Sequence, residues 1–209
     1  VKPVITDADI SAIYRPVRGS SDGKAEAGLW AGVGCQCDKI KIRNTGWMGI
    51  WTGGNANNGT FSNFDIDDIN GTVPGNGQRV SIGAYLEHYT RSNVFKSFVI
   101  GRSGGNMSVG FNCEWADPAY NGTNPVAGQT VSACHSNTIQ DGTIYSSYRG
   151  IQLEDADKTT IQRIKFVGQT NAAINDFMTS GSGYSTVWQN QGNDFTGLAA
   201  GAAQYNQSH

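Results

Sequence analysis

A five-residue segment recurs six times along the chain and limits the folds that the chain can adopt. Each copy begins with Gly or Ala and carries mostly apolar residues at its second and fourth positions. The copies lie at 28–32, 49–53, 83–87, 110–114, 150–154 and 172–176. Their starts are 21, 34, 27, 40 and 22 residues apart, so a basic period of 21 or 22 residues is lengthened by insertions.

A polar corner, often Ser-Asn, alternates with these segments. Asn63 and Asn93 each precede an apolar residue that begins a second short apolar run, and Asn137 precedes such a run at Thr138-Ile139. Short apolar runs bounded by Gly, Asn, Asp and Ser are typical of strands, and no stretch shows a helical period with caps. A β-sandwich also has short strands, but it does not explain six matched segments. The alternation favours a solenoid whose insertions are loops.

We therefore predict an all-β chain that forms a single-stranded right-handed parallel β-helix, a solenoid of roughly six to seven coils with inserted loops. The β-helix is expected over residues 28–197. Because an open end of such a stack needs covering, residues 1–27 are predicted to form an irregular N-terminal coil or cap. The Ala-, Gln- and Asn-rich residues 198–209 look like a poor strand former and are predicted to be a C-terminal tail or linker.

One stretch of the sequence resembles a known family. The run Ser-Asn-Thr-Ile-Gln-Asp-Gly-Thr-Ile at 136–144, followed by Arg-Gly-Ile-Gln-Leu at 149–153, resembles the repeat of the pectate-lyase-like β-helix superfamily. Its members include polysaccharide lyases, glycoside hydrolases, epimerases and phage tailspikes. The resemblance implies a carbohydrate-active module that is extracellular, on a cell surface or on a virion. Similarity to tailspikes also implies a homotrimer.

Strand alternation assigns the five positions of each segment to two faces. The second and fourth positions are mostly apolar and are predicted to face the interior, whereas the first, third and fifth are predicted to face outward. The third position reads Trp30, Trp51, Tyr85, Asn112, Gln152 and Ile174. The fifth position reads Gly32, Gly53, Glu87, Glu114, Glu154 and Asp176.

Like charges opposite each other destabilise a sheet. Stability therefore does not favour the stacked carboxylates, and their presence suggests a function. Aromatic faces can stack on sugar rings, and paired carboxyl groups are the usual machinery of glycoside hydrolysis. We therefore predict that a polysaccharide lies along the outer face and is hydrolysed there. Neighbouring strands, about 4.8 Å apart, suit a retaining pair, and strands two apart suit an inverting pair. A polar face whose carboxylates splay into solvent is the alternative.

The candidate residues fall into two groups. The predicted catalytic residues are Glu87, Glu114, Glu154 and Asp117. The predicted substrate-binding residues are Trp30, Trp51, Tyr85, His88, Asn112, Trp115, Tyr120, Gln152, Asp155 and Asp176. His88 has two interpretations, an acid or base beside Glu87 or a surface turn residue.

Composition argues against several other partners. The net charge is -2, so the chain has no basic face for nucleic acid, and no run of 18 apolar residues could span a membrane. The four Cys and three His show no zinc-ligand spacing, and the Cys are expected to be small core residues. No cofactor is predicted, although the carboxylate stack is a candidate Ca²⁺ site.

Other functions of the same surface stay open. A non-catalytic glycan-binding, receptor-binding or adhesive β-helix would use the aromatic residues alone. A polysaccharide lyase would need a basic residue, for which Arg91, Arg149 and Lys158 are candidates. A structural spacer would need neither the aromatic residues nor a basic residue.

Overall fold

The computed structural model describes residues 2–11, 27–45, 47–53, 56–69, 81–87, 90–104, 107–113, 134–154, 156, 158–177 and 188–208. Every helix or strand assigned within these ranges is a β-strand. In chain order the strands are β1 (Val4–Thr6), β2 (Asp9–Ile10), β3 (Ala27–Ala31), β4 (Gln36–Asp38), β5 (Lys41–Thr45), β6 (Met48–Thr52), β7 (Thr60–Ser62), β8 (Asp65–Ile69), β9 (Ile82–Leu86), β10 (Val94–Ile100), β11 (Val109–Cys113), β12 (Thr138–Tyr145), β13 (Arg149–Glu154), β14 (Thr159–Val167), β15 (Ala172–Phe177), β16 (Trp188–Gln191), β17 (Asp194–Gly197) and β18 (Ala203–Ser208).

The strands form two parallel sheets. Sheet A has 11 strands, with the order β1-β4-β7-β10-β12-β14-β16 and with β2, β5, β8 and β17 alongside. Sheet B has seven strands, with the order β18-β15-β13-β11-β9-β6-β3. The chain visits the two sheets alternately, and each visit pairs in parallel with the preceding visit to that sheet. The prediction of an all-β, solenoid-like chain built from parallel strands is therefore confirmed.

The interior between the sheets is apolar and partly built from stacked aromatic rings. Phe61 stacks on Phe95 at a centroid distance of 4.6 Å, and Phe64 stacks on Phe98 at 5.1 Å. Equivalent residues of successive strands lie one strand spacing apart, so rings of the same type stack with little adjustment. All four cysteines are buried, which confirms their prediction as core residues.

The first position of the recurring segment is interior, and its predicted outward orientation is wrong. A Cβ at Gly110 would lie 2.6 Å from the carbonyl oxygen of Gly150 and 2.6 Å from Cγ2 of Ile144. Gly49 and Gly83 meet the same two kinds of atom, a neighbouring carbonyl oxygen and an isoleucine of sheet A. Sheet B thus begins directly against side chains of sheet A, and only glycine leaves room for this approach.

A buried amide stack holds the corner at which the chain enters sheet A. Asn93 Oδ1 accepts a hydrogen bond from the Gly59 amide at 2.7 Å, and Asn137 Oδ1 accepts one from the Asn93 amide at 3.0 Å. The Nδ2 groups donate to the carbonyl oxygens of Ala56 and Thr90. Because buried backbone groups need partners, the recurring Asn of the polar corner has a structural role.

Sheet A bends at one residue in each of the first six passes of the chain through it. The bend residue has a left-handed backbone conformation, which is uncommon for residues other than glycine. These residues are Asp7, Lys39, Asn63, Ser97, Asp141 and Arg163, with φ between 51° and 58°. The bend divides the short strands of the early passes, β1 from β2, β4 from β5 and β7 from β8, while β10, β12 and β14 continue through it.

The two ends of the stack contain strands outside the predicted β-helix. β1 and β2 pair with β4 and β5, so part of the 1–27 segment joins sheet A. The prediction that 198–209 form strands poorly is wrong for Ala203–Ser208, which pair with β15 throughout their length. Backbone pairing to a preformed strand compensates for the weak β-propensity of Ala, Gln and Asn. The predicted domain boundaries stay predictions.

Candidate functional site

The third position of the segment forms a continuous ladder on the outer face of sheet B. Strand register aligns seven residues, which are Trp30, Trp51, Tyr85, Asn112, Gln152, Asn175 and Asn206. Three aromatic residues are followed by four amides. We call these residues the outer ladder. The structure brings together the predicted residues Trp30, Trp51, Tyr85, Asn112 and Gln152.

The sixth segment is shifted by one residue from its predicted register. Leu153 pairs with Asp176 and Gln152 with Asn175, so Asp176 and Ile174 face the interior. Asp176 is only 1% exposed, and its Oδ2 accepts a hydrogen bond from the Tyr205 hydroxyl at 2.8 Å. The predicted outward position of Asp176 is therefore wrong. The segment begins Ala-Ala without a glycine, so the sequence offered no marker for its first position.

Two tryptophan rings stack at the aromatic end of the outer ladder, and we call this pair the Trp30–Trp51 platform. Trp30 and Trp51 stack with their ring centroids 4.6 Å apart and an interplanar angle of 14°. Trp30 is 68% exposed, whereas Tyr85 is 7% exposed and packs with Met48 and Ile82. The ladder is therefore accessible at its two ends, at Trp30 and at Asn206, and is buried in its middle.

The indole nitrogen of Trp51 and the carboxylate of Glu87 both lie close to Gly53. A Cβ at Gly53 would lie 2.8 Å from Trp51 Nε1 and 3.2 Å from Glu87 Oε2. Glycine at this site lets both polar atoms approach the same point of the backbone. Within the described residues, Trp51 Nε1 is buried and has no hydrogen-bond partner, which is unusual for an N–H group.

The amide end of the outer ladder carries a polar chain along β13. Arg149 Nη1 donates to Gln152 Oε1, and Gln152 Nε2 donates to Glu154 Oε1. Arg149 also contacts the ring of Tyr148, with 5.3 Å from its guanidinium carbon to the ring centroid. Strict alternation groups Arg149 with the inward residues of β13, and it therefore does not predict a contact with Gln152. The alternation is interrupted at Gly150, where an added Cβ would meet the core ring of Phe166 although Ile151 also faces the core. Arg149 therefore lies on the outer face with Gln152.

The described carboxylates of the fifth position are Glu87 and Glu154. Leu86 and Leu153 both pair with Cys113, so the residues that follow them lie two strands apart, roughly 9–10 Å. Burial, followed by the negative charge of Glu154, raises the pKa of the Cys113 thiol to about 12. Glu154 therefore acts electrostatically on the edge of the core as well as on the outer face.

Several candidate residues lie outside the described residues. These are Glu114 and Asp117, predicted as catalytic, and His88, Trp115, Tyr120 and Asp155, predicted to bind substrate. Their roles stay predictions.

Among the described residues, no group of three or more His, Cys, Asp or Glu side chains is placed to hold a metal ion. In the same part of the chain, no helix is long and apolar enough to cross a membrane. The Ca²⁺ site suggested by the carboxylate stack, which includes Glu114, stays a prediction.

Comparison with known proteins gives no relative for this chain. It matches no protein-family model, no curated protein sequence and no solved structure. The site is therefore interpreted from its own residues.

Proposed function

We propose that this chain is a right-handed parallel β-helix of six to seven coils that binds a polysaccharide along the outer face of sheet B and hydrolyses it. The outer ladder is the observation that carries this proposal. It combines the Trp30–Trp51 platform, in which the Trp30 ring is exposed, with a row of amides, all on one face and in register. A glycan needs both features, because its C–H faces pack on aromatic rings and its hydroxyl groups need hydrogen-bond partners.

Unpaired polar atoms on this face support a ligand. Within the described residues, Trp51 Nε1 and Asn112 Oδ1 are both buried without a hydrogen-bond partner. One is a donor and the other an acceptor, so sugar hydroxyl groups can complement both. Each such group left unpaired costs about 1–3 kcal/mol, and a bound glycan would recover part of this cost.

The proposed chemistry is acid–base hydrolysis by carboxyl groups. The strand separation between Glu87 and Glu154 is near the upper end of the range that inverting glycosidases use, about 6.5–9.5 Å. One carboxylic acid protonates the leaving oxygen, and the other carboxylate activates a water molecule on the opposite side of the sugar. Glu114 and Asp117 are the further candidates for these roles, and Ca²⁺ is the candidate ion of the stack.

Glycan binding without cleavage is the second candidate function. Gln152 already binds Glu154, and Tyr85, Asn112 and Gln152 are all buried. A glycan held only at the Trp30–Trp51 platform would not reach Glu154. This interpretation keeps the proposed polysaccharide partner and the extracellular, cell-surface or virion location, and it assigns the carboxylates a structural role. A homotrimer, as in tailspikes, is part of both proposals.

A panel of polysaccharides distinguishes the candidates. Binding is measured by affinity electrophoresis, and cleavage by release of reducing ends with NMR of the anomeric configuration. The hydrolase proposal expects inverted products, and it expects Glu87→Gln and Glu154→Gln each to lower the rate by about 10²–10⁴-fold. Asp9→Asn is the matched control, since Asp9 is an exposed carboxylate of sheet A.

Each alternative has its own outcome. Binding without cleavage by the unaltered chain supports the second candidate. Products that absorb in the ultraviolet indicate β-elimination by a lyase. Full activity in Glu87→Gln, Glu114→Gln and Glu154→Gln would rule out hydrolysis by these carboxylates.

A further inference from the structure

Two buried cysteines lie side by side where the chain enters sheet A. The Sγ atoms of Cys35 and Cys37 are 2.9 Å apart, and the residues are 1% and 3% exposed. A disulfide bond is about 2.05 Å long, so the two sulfur atoms need to approach by less than about 1 Å. Both side chains already point into the same apolar core.

This corner differs from the corners of the later coils. The amides of Gly59 and Asn93 are bound by an Asn side chain of the following coil, at 2.7 and 3.0 Å. The corner residue that follows Cys35 is Gly59, which has no side chain to offer. The Cys35 amide instead donates to the Gly32 carbonyl oxygen at 3.4 Å. The amide stack therefore ends at the Gly59 corner and does not reach the Cys35 corner.

We infer that Cys35 and Cys37 form a disulfide bond in an oxidising environment, and that this bond fixes the corner that the amide stack does not reach. The inference does not depend on the proposed glycan function. It concerns the covalent state of the chain. It rests on the distance between the two sulfur atoms and on the fact that no Asn side chain of the amide stack binds the Cys35 amide.

The bond forms by thiol–disulfide exchange with a small disulfide such as oxidised glutathione. One cysteine thiolate attacks a glutathione sulfur and expels a glutathione thiolate. The second cysteine then attacks the mixed disulfide and expels the other glutathione. Two protein thiols are oxidised, one glutathione disulfide is reduced to two thiols, and the protons of the cysteines pass to the departing thiolates.

Burial favours formation of this bond during folding. Desolvation, followed by the hydrogen bond to Cys35, raises the pKa of the Cys37 thiol above its usual range. Since the thiolate is the reacting species, the folded, reduced protein should react slowly. The test therefore refolds the complete chain from denaturant, in parallel, with a glutathione redox buffer and with a reductant.

The expected result is a loss of two of the four thiols in the oxidised sample alone. Thiols are counted with Ellman's reagent in denaturant, and intact mass should fall by about 2 Da. A Cys113→Ala/Cys134→Ala variant should lose both of its thiols. A Cys35→Ser/Cys37→Ser variant should keep both of its thiols. Four remaining thiols, stable glutathione adducts, or a peptide map that links Cys113 or Cys134 would overturn the inference.

Hydrogen exchange of the unaltered protein tests the proposed role of the bond without any substitution. The Thr60 amide donates to the Cys35 carbonyl oxygen at 2.8 Å, and the Val94 amide donates to the Gly59 carbonyl oxygen at 3.0 Å. Reduction should speed exchange at Thr60 and leave Val94 unchanged, because the amide stack still holds the corner at Gly59. Equal protection at Thr60 in both redox states would contradict a role in fixing the corner.

Discussion

The outer faces of the two sheets differ in how their polar groups are paired. On sheet A, Arg163 binds Asp141 through two hydrogen bonds, of 2.5 and 2.9 Å. Gln162 donates to Gln140 at 2.6 Å, and Asp38 accepts a hydrogen bond from Ser62 at 2.6 Å. These cross-strand pairs satisfy one another, so these positions need only solvent, although Asp65 Oδ1 of the same sheet is buried without a hydrogen-bond partner within the described residues.

On sheet B the corresponding positions are aromatic or amide residues. Trp30 is exposed and stacked on Trp51, while Trp51 Nε1 and Asn112 Oδ1 have no hydrogen-bond partner within the described residues. A stack of tryptophans on an exposed edge strand also favours unwanted association with other chains. Within the described residues both sheets carry a buried oxygen without a partner, so the exposed aromatic stack is what distinguishes sheet B as the candidate ligand face, while the paired outer positions of sheet A form the solvent face.

The largest expected effect concerns the site where the two sheets meet. Gly110→Val places a branched side chain where even a Cβ lies 2.6 Å from Ile144 Cγ2 and from a carbonyl oxygen. We expect the free energy of unfolding, measured with urea, to fall by about 3 kcal/mol or more. Gly32→Val is the matched control, because a Cβ there has no atom within 4 Å. Equal losses in the two variants would contradict the close approach of the sheets.

The next effect tests the corner that leads into sheet A. Asn93→Ala removes the acceptor of the Gly59 amide and leaves this buried group unpaired. We expect a loss of about 1–3 kcal/mol in the free energy of unfolding. Gln162→Ala removes an amide from the outer face of the same sheet and should change it by less than about 0.5 kcal/mol. A similar loss in Gln162→Ala would mean that the outer amides also stabilise the fold.

A smaller effect tests the ligand face directly. Trp30→Ala should weaken glycan binding about tenfold, since one aromatic stacking contact contributes about 1.4 kcal/mol. It should change stability little, because Trp30 is 68% exposed. Val33→Ala, another exposed apolar residue near this end of the stack, should leave affinity unchanged. Isothermal titration with the best-bound polysaccharide measures both, and unchanged affinity in Trp30→Ala would remove the platform from the proposal.

The smallest effect belongs to the solvent face. The hydrogen bonds from Arg163 lower the pKa of Asp141. The stabilisation is therefore present above the unfolded-state pKa, about 3.9, and is lost as pH falls through the lower folded-state value. Because this pair is exposed, it should contribute little. Asp141→Asn should match the unaltered chain in thermal unfolding at a pH below the folded-state pKa of Asp141, and it should be at most slightly less stable at pH 7. A large difference at pH 7 would contradict a simple solvent face.

The sequence predicted the repeat better where a glycine marked each segment. Five segments begin with Gly, and their predicted register agrees with the strand pairing. The sixth begins with Ala172-Ala173 and is displaced by one residue, which reverses the faces of Ile174 and Asp176. In a pattern of period two, a shift of one residue moves every side chain to the opposite face, so one missing marker misplaced a proposed site residue.

By itself the sequence determined the alternation of short strands and corners, because period-two apolar patterns and Gly or Asn punctuation are local properties of the chain. It also placed Trp30, Trp51, Tyr85, Asn112 and Gln152 on one face. Only the tertiary structure decided that the glycines face the interior, that Asn175 and Asn206 extend the ladder, and that Arg149 joins Gln152. Each of these features depends on contacts between residues that are far apart in the sequence. The local sequence pattern does not show how closely the two sheets approach or which distant side chains meet.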